Sequence, residues 1–439
     1  MIATERTTCV VVGGGPAGLM LGLLLARAGV EVTVLEKHGD FLRDFRGDTV
    51  HTSTLTLIDE LGLWPAFSKL PFKPLRQLQL LLDAGAAPIA DPGRLRAPHP
   101  FIAMVPQWHF LDMLADAGEA EPSFTLRMEA KVTEVTRANG AVSGVRYRTG
   151  DGTEHELSAT LVVACDGRAS AVREAAGLRA RSFGVPMDVW WFRLPRRPSD
   201  PEGLLGRVGR GRVMVLIDRG DYYQCAFLIR KGEDAQLRAR PISSLHRMVT
   251  GMLPWLADRS DQVASWDDVK LLDVALDRLP TWHAPGLLCI GDAAHAMSPV
   301  GGVGINLAVQ DAVAAARLLA GPLLEAARAG ADARPPARDA IDAACARVQR
   351  RRWLPTVVTQ SLQRFAHRRV LRPVLDEAVE PSSNAMPLPF RVLRRFPRLR
   401  RFPALLVAIG LRPEHAPDVA RRSASGTAAA SSPAVPAGG

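Results

Sequence analysis

Residues 13–18 read GGGPAG, a G-x-G-x-x-G with glycines at Gly13, Gly15 and Gly18. The motif follows an apolar run at 9–12 and opens a second apolar stretch at Pro16 and Ala17. Each glycine has its own task at such a strand-to-helix turn. Gly13 permits the tight turn, Gly15 lets backbone approach a pyrophosphate, and Gly18 lets helix and strand pack closely. The free N–H groups and positive dipole end of the helix then suit phosphate. A further strand-like run, EVTVLEK, ends in Glu36 and Lys37, with Glu36 placed 18 residues after Gly18. A carboxylate at that distance can accept hydrogen bonds from ribose hydroxyls. The pattern predicts a dinucleotide site.

Two more apolar runs end in a similar way. LVVACDGRASAVR (161–173) stops at Asp166-Gly167, and GLLCIGDAAH (286–295) stops at Gly291-Asp292. In an open α/β sheet, ligands sit beyond the carboxyl ends of the strands. Three strand ends bearing glycine or aspartate therefore predict one extended ligand lying across all of them. FAD fits that path, with adenosine at Glu36, pyrophosphate at 13–18 and the ribityl chain at Asp292. Its ring system would lie against 299–306, lined by Pro299, Gly302, Gly304, Ile305 and Asn306, where the glycine turn lets backbone approach and Gly301–Asn306 offer helix-start N–H groups.

The motifs GGGPAG, CDGRASAVR and GDAAHAMSPVGGVGINLAVQDA span residues 9 to 312. In them the chain resembles the class A FAD-dependent monooxygenases related to para-hydroxybenzoate hydroxylase. The resemblance implies that Arg46 approaches the FAD phosphates or ribose, and that Gln107 reaches the ribityl region. It also implies that Asp166 supports FAD and nicotinamide binding together, and that Asp292 binds the ribityl chain. The resemblance also implies NADPH or NADH as a transient cosubstrate, and the sequence holds no second strand-embedded G-x-G-x-x-G. Reduced flavin would react with O2 at C4a, giving a hydroperoxide that hydroxylates or epoxidises an aromatic, quinone-like or polyketide-like substrate. One departure stands out: Ala169 occupies the place of the family's second acid in the middle motif, while Arg173 is kept. No residue is assigned as catalytic base; His51 is the candidate considered, and His295 reads as structural.

These residues need a scaffold, and the chain supplies an alternating one. The expected fold is α/β, a Rossmann-like FAD-binding domain with a mixed β substrate domain and C-terminal helices. The FAD domain would be discontinuous, over 1–70, 101–180 and 281–338. Residues 71–100, which read as Pro-rich and irregular, and 181–280 would make the substrate domain. A helical region would occupy 339–421, and the low-complexity 422–439 reads as a disordered tail. In that substrate domain Trp190, Trp191, Phe192, Tyr222, Tyr223 and Phe227 are candidates for the pocket. Strand alternation sets Trp190 and Phe192 on one face and Trp191 on the other.

Composition narrows the alternatives. The net charge of +10 is spread over scattered arginine blocks, without the clustering and interleaved aromatics of a nucleic-acid groove. Five cysteines with no C-x-x-C spacing argue against a disulfide framework and against zinc, and point to a reducing, cytoplasmic setting. Residues 9–26 are uncharged, but the glycines and Pro16 break them as a spanning helix. The arginine-rich, apolar stretch 396–415 is read as packing on the FAD domain in preference to touching a membrane surface. A flavin halogenase is disfavoured because residues 190–195 read W-x-F-x-L-P, not W-x-W-x-I-P. A prenyl-chain reductase and a non-catalytic flavin-binding regulator remain as alternatives, the regulator being the weaker.

Overall fold

The computed structural model describes residues 4–42, 49–209, 211–329, 335–376 and 388–422. Arg46 lies outside these residues, as does all of the predicted tail beyond Arg422. An eight-stranded sheet is built around β1 (Thr4–Val12), β2 (Val32–Leu35), β3 (Glu154–Ala164) and β4 (Leu287–Cys289), in the order β4-β3-β1-β2. All four are parallel. The strand Phe124–Arg127 extends the sheet beyond β2, and the hairpin Lys131–Ala138 and Ala141–Arg148 joins β3 antiparallel.

The four parallel strands are apolar and buried towards their carboxyl ends, at Cys9–Val12, Val34–Leu35, Leu161–Ala164 and Leu287–Cys289, as strands covered by helices require. Helix α1 (Pro16–Arg27) packs there beside α2 (Gly304–Ala329), which in turn packs on α3 (Pro335–Ala366). Among the described residues α2 alone is long and apolar enough to cross a membrane, yet two-thirds of its apolar window is buried inside the fold. All five cysteine thiols are unpaired.

Register decides where the motifs fall. Val12 pairs with both Leu35 and Ala164, and Ala164 pairs with Cys289. The four strands thus end in one row, and the residues that follow are Gly13, Glu36, Cys165-Asp166 and Ile290-Gly291. Hydrogen bonds from Gly13 N to Leu35 O and from Cys165 N to Val12 O, at 2.8 and 2.7 Å, fix the row.

A second sheet of seven strands contains Met187–Pro195, Leu204–Gly209, Arg212–Asp218 and Tyr222–Arg230, and also takes Leu78–Leu82 and Gly85–Ala90. The stretch 71–100 is therefore not irregular. Pro88 fits there because it lies on the last strand of the sheet, where a missing N–H costs no ladder bond. Alternation in Met187–Pro195 sends Trp190 and Phe192 into one core cluster and Trp191 into another. The cluster of Trp190 and Phe192 also holds Tyr223 and Phe227, sealed by Leu245, Val249 and Met252 of the helix Ser243–Met252. Those four aromatics are core residues, not pocket walls. Trp191 faces the opposite way, towards Met104 and Val300.

Candidate active site

The glycine turn separates two kinds of glycine. At Gly13, with φ +106°, a Cβ would lie 2.5 Å from Cys165 O, and at Gly18 it would collide with the Gly13 carbonyl. These two are dictated by packing. At Gly15 a Cβ would meet nothing within 4 Å, and the backbone conformation, φ −79°, is open to any residue. Packing therefore does not require glycine at the position that caps α1. No side chain caps this helix start, so its N–H groups stay available to an anion.

Glu36 is 8% exposed and stands across this turn. Its Oε2 accepts from Gly14 N at 2.8 Å and its Oε1 from His38 N at 3.1 Å, which fixes the carboxylate beside the glycines. Lys37 is exposed. Asp166 presents Oδ2 to Val172 N at 3.3 Å, while its buried Oδ1 has no protein partner. Burial pushes the Asp166 carboxyl up from the usual carboxylate range, opposed by the Ser170 side chain and the Val172 N–H. An unpaired buried carboxylate oxygen costs free energy unless a ligand or water meets it. Arg173 ties the neighbouring turns together, donating to Arg168 O at 2.7 Å and to Ala293 O at 3.2 Å. Ala169 is exposed and leaves that tie intact.

Gly291 adopts φ +57°, turning the chain so that Asp292 faces outward, exposed. Gly291 N donates to Asp311 Oδ2 at 3.2 Å. Asp311 is fully buried and also meets His295 Nε2 at 2.5 Å and Arg352 Nε at 3.0 Å. His295 is thus part of a scaffold beneath the turn. Gln107 starts the helix Gln107–Glu119, half-buried, and Pro299 is half-buried in the loop before α2.

The loop at 299–304 is held from both sides. Gly302, at φ +62°, accepts from Thr49 Oγ1 at 2.7 Å, and Gly304 and Ile305 open α2. Asn306, expected at the flavin edge, has its side chain anchored: Oδ1 accepts from Ser53 Oγ and Thr54 Oγ1 at 2.8 and 2.6 Å. His51 is fully buried with Nδ1 2.7 Å from Val407 O, and burial lowers its pKa, so it sits neutral within the fold.

Sequence reasoning missed three residues that clasp this loop from α3 and its continuation. Gln363 Nε2 donates to Ser298 O and Val300 O at 2.8 and 2.9 Å, and its Oε1 accepts from Ser298 N at 3.2 Å. Gln360 Nε2 donates to Asp277 O and Ala296 O, and His367 Nε2 meets Ser298 Oγ at 2.9 Å. Their spacing, 360, 363 and 367, is one polar stripe on a helix. That stripe is the only signal the sequence held.

Burial lowers the His367 pKa to about 4. The neutral ring therefore belongs to the folded state, and an unfolded chain binds a proton that the fold does not between about pH 6.5 and 4. Stability from this residue is present above that window and lost as pH falls through it. His367→Asn should flatten the dependence of Tm on pH over that range. An unchanged slope in thermal melts across the window would contradict this.

The row of strand ends, the open Gly15 and the orphaned Asp166 oxygen together fit a long ligand with a pyrophosphate. Comparison with known proteins agrees. Residues 6–347 match the family described as FAD binding domain. The chain belongs to that family, as an FAD-dependent monooxygenase of the class A type. It is 35% identical over 316 residues to 6-methylpretetramide 4-monooxygenase of Streptomyces rimosus, covering 71% of this chain and 74% of that one. It is 25% identical to 3-demethoxyubiquinol 3-hydroxylase of Escherichia coli strain K12, covering 71% and 78%. Among solved structures, Pseudomonas aeruginosa PqsL in complex with 2-aminobenzoylacetate shares the fold of this monooxygenase. Its TM-score is 0.69 at 21% identity, over 85% of this chain and 98% of that one.

Proposed function

We propose that this monooxygenase hydroxylates an electron-rich ring of a fused, polyketide-like aromatic, with NAD(P)H as reductant and O2 as oxygen source. The observation that carries the reading is the 35% identity to an enzyme whose name specifies 6-methylpretetramide. When bound, FAD supplies electron transfer from the nicotinamide and activation of O2. The chain's residues do the rest. Glu36 holds the adenosine ribose, and the N–H groups at the start of α1, with Gly15, hold the pyrophosphate. Asp166 Oδ1 and Asp292 take hydroxyl and ring-edge contacts. The backbone at 302–306 lies against the flavin's far end, its position fixed by Thr49, Gln363 and His367. We place Gln107 and Arg46 nearby on the family resemblance alone.

Trp191, on the sheet face towards Val300, is the aromatic we assign to the substrate side. Trp191→Ala should raise KM for the polycyclic substrate about tenfold, the equivalent of part of an aromatic contact, with FAD content unchanged. Trp190→Phe should leave KM alone and lower Tm, because Trp190 Nε1 donates to Asp234 Oδ1 at 2.6 Å inside the other core. Equal KM effects from both would break the assignment.

The function itself is tested by the visible spectrum of the purified protein, followed by NADPH or NADH in air. Flavin bands near about 375 and 450 nm should bleach and recover as O2 is consumed, faster with a polycyclic phenol. Label from 18O2 should appear in the product. A bound flavin that neither nicotinamide reduces would favour the non-catalytic reading instead. O2 uptake without product label would remove the hydroxylation.

A further inference from the structure

The C-terminal segment is turned inside out. Where it packs, against Ala90, Leu95 and Ile102, its buried residues are the small Ala404 and Ala408. Its bulky residues face outward: Leu388 is 68% exposed, Phe396 55%, Phe402 50% and Leu406 48%. A segment selected only to pack on the FAD domain would place these the other way round, since burying a Leu or Phe is worth far more than burying an Ala. Single exposed apolar residues are ordinary; a run of them along one segment marks an interaction surface.

Charge says what that surface meets. Residues 388–413 hold seven arginines and no acidic residue. Arg391, Arg394, Arg395, Arg398 and Arg401 are exposed between the apolar positions. Two of them lie over their own neighbours, Arg395 on Phe396 at 5.6 Å and Arg401 on Phe402 at 4.9 Å, so apolar and cationic groups share one face. The helix Leu388–Arg395 and the short turns after it are too short to span a bilayer. Bulky apolar residues between arginines, on short helices lying along the surface, are the pattern of an interfacial anchor. The chain's own tail is a poor cover, because residues 423–439 contain neither an acid nor a large apolar side chain.

We propose that residues 388–406 dock this protein on an anionic lipid surface, with the arginines at the headgroups and the phenylalanines and leucines in the acyl boundary. The docked face leads inward. Leu406, Val407 and Ile409 line a cleft with Val303, Asn306 and Leu307 at the start of α2. A lipophilic compound partitioned into the bilayer would thus meet the protein next to the loop at 299–304. The docking itself does not depend on the function proposed above.

The test is co-sedimentation of the full chain with phosphatidylcholine vesicles, with and without phosphatidylglycerol, at low and high salt. Binding is expected only to the anionic vesicles, and should fall steeply as salt screens the headgroups. Phe396→Ser with Phe402→Ser should abolish it. Arg394→Gln with Arg395→Gln and Arg398→Gln should weaken it about a hundredfold, at roughly fivefold per arginine. All variants should keep the Tm and flavin spectrum of the parent, since none of these side chains supports the core. Equal binding to neutral vesicles, or none to either, overturns the proposal. A self-association in analytical centrifugation that the same substitutions remove would assign the face to a second copy of the chain and overturn it too.

Discussion

Replacing Gly15 by alanine should give a folded protein that has lost its colour. The added methyl meets no protein atom, and the backbone there needs no glycine, so stability of the apoprotein should change by less than about 0.5 kcal/mol. The methyl instead occupies the space into which the pyrophosphate must come. FAD affinity should fall at least about a hundredfold, close to 3 kcal/mol. Gly18→Ala is the contrast, because its methyl collides with the Gly13 carbonyl and forces α1 away from β1. That variant should lose stability by about 1–3 kcal/mol or more, and lose flavin as a consequence. The ratio of absorbance at 450 and 280 nm, read beside apoprotein melts, separates the two. A yellow Gly15→Ala protein with parental affinity would move the pyrophosphate elsewhere.

Arg352→Met should be the most damaging single change away from the ligand. Arg352 is 1% exposed and stands between Asp311 Oδ1, at 3.0 Å, and Glu414 Oε1, at 3.7 Å. Without it two buried carboxylates lose the guanidinium between them, leaving Asp311 to His295 and Glu414 to the half-exposed Arg351, which costs about 3–5 kcal/mol. In a chain of this size that lowers Tm by roughly 3–5 °C. Its neighbour Arg351 also pairs with Glu414, at 2.7 Å, but is 45% exposed, so Arg351→Met should cost under about 1 kcal/mol. Acid should reveal the same pair. Burial alone would raise the Asp311 pKa, but His295 and Arg352 overcome that and hold it below the usual carboxylate value. The stability it contributes is present above its unfolded pKa and lost as pH falls through the folded one. Arg352→Met should therefore move the acid-unfolding midpoint to higher pH. Equal melting of the two variants would show that the buried network does not hold the fold.

The row of candidate residues at the strand ends was legible because it is local. GGGPAG, Glu36, Asp166 and Gly291-Asp292 each follow a strand end within a few residues, and the parallel register sets those ends side by side. Alternation likewise sorted Trp190 from Trp191, since a strand's period is two whatever it packs on. What alternation could not say is which face a helix would cover. The helix Ser243–Met252 decided that, and it turned four aromatics into core. The supports of the flavin-edge loop were invisible for a related reason. Gln363 and His367 reach Ser298 across more than sixty residues of chain, and Asn306 spends its side chain on Ser53 and Thr54. Nothing in the local pattern of 299–306 records such partners.

The Arg352 network also sets what a shortened chain would lose. Glu414 pairs with Arg352 and Arg351, its N–H is taken by Gln310, and a little further on Ala420 O accepts from Arg27 in α1 at 3.0 Å. A product that stops before residue 412 carries every cofactor motif, yet leaves a buried guanidinium and the end of α1 short of partners. Removal of residues 412–422 should thus leave a weakened chain open to proteolysis, although every cofactor motif is intact.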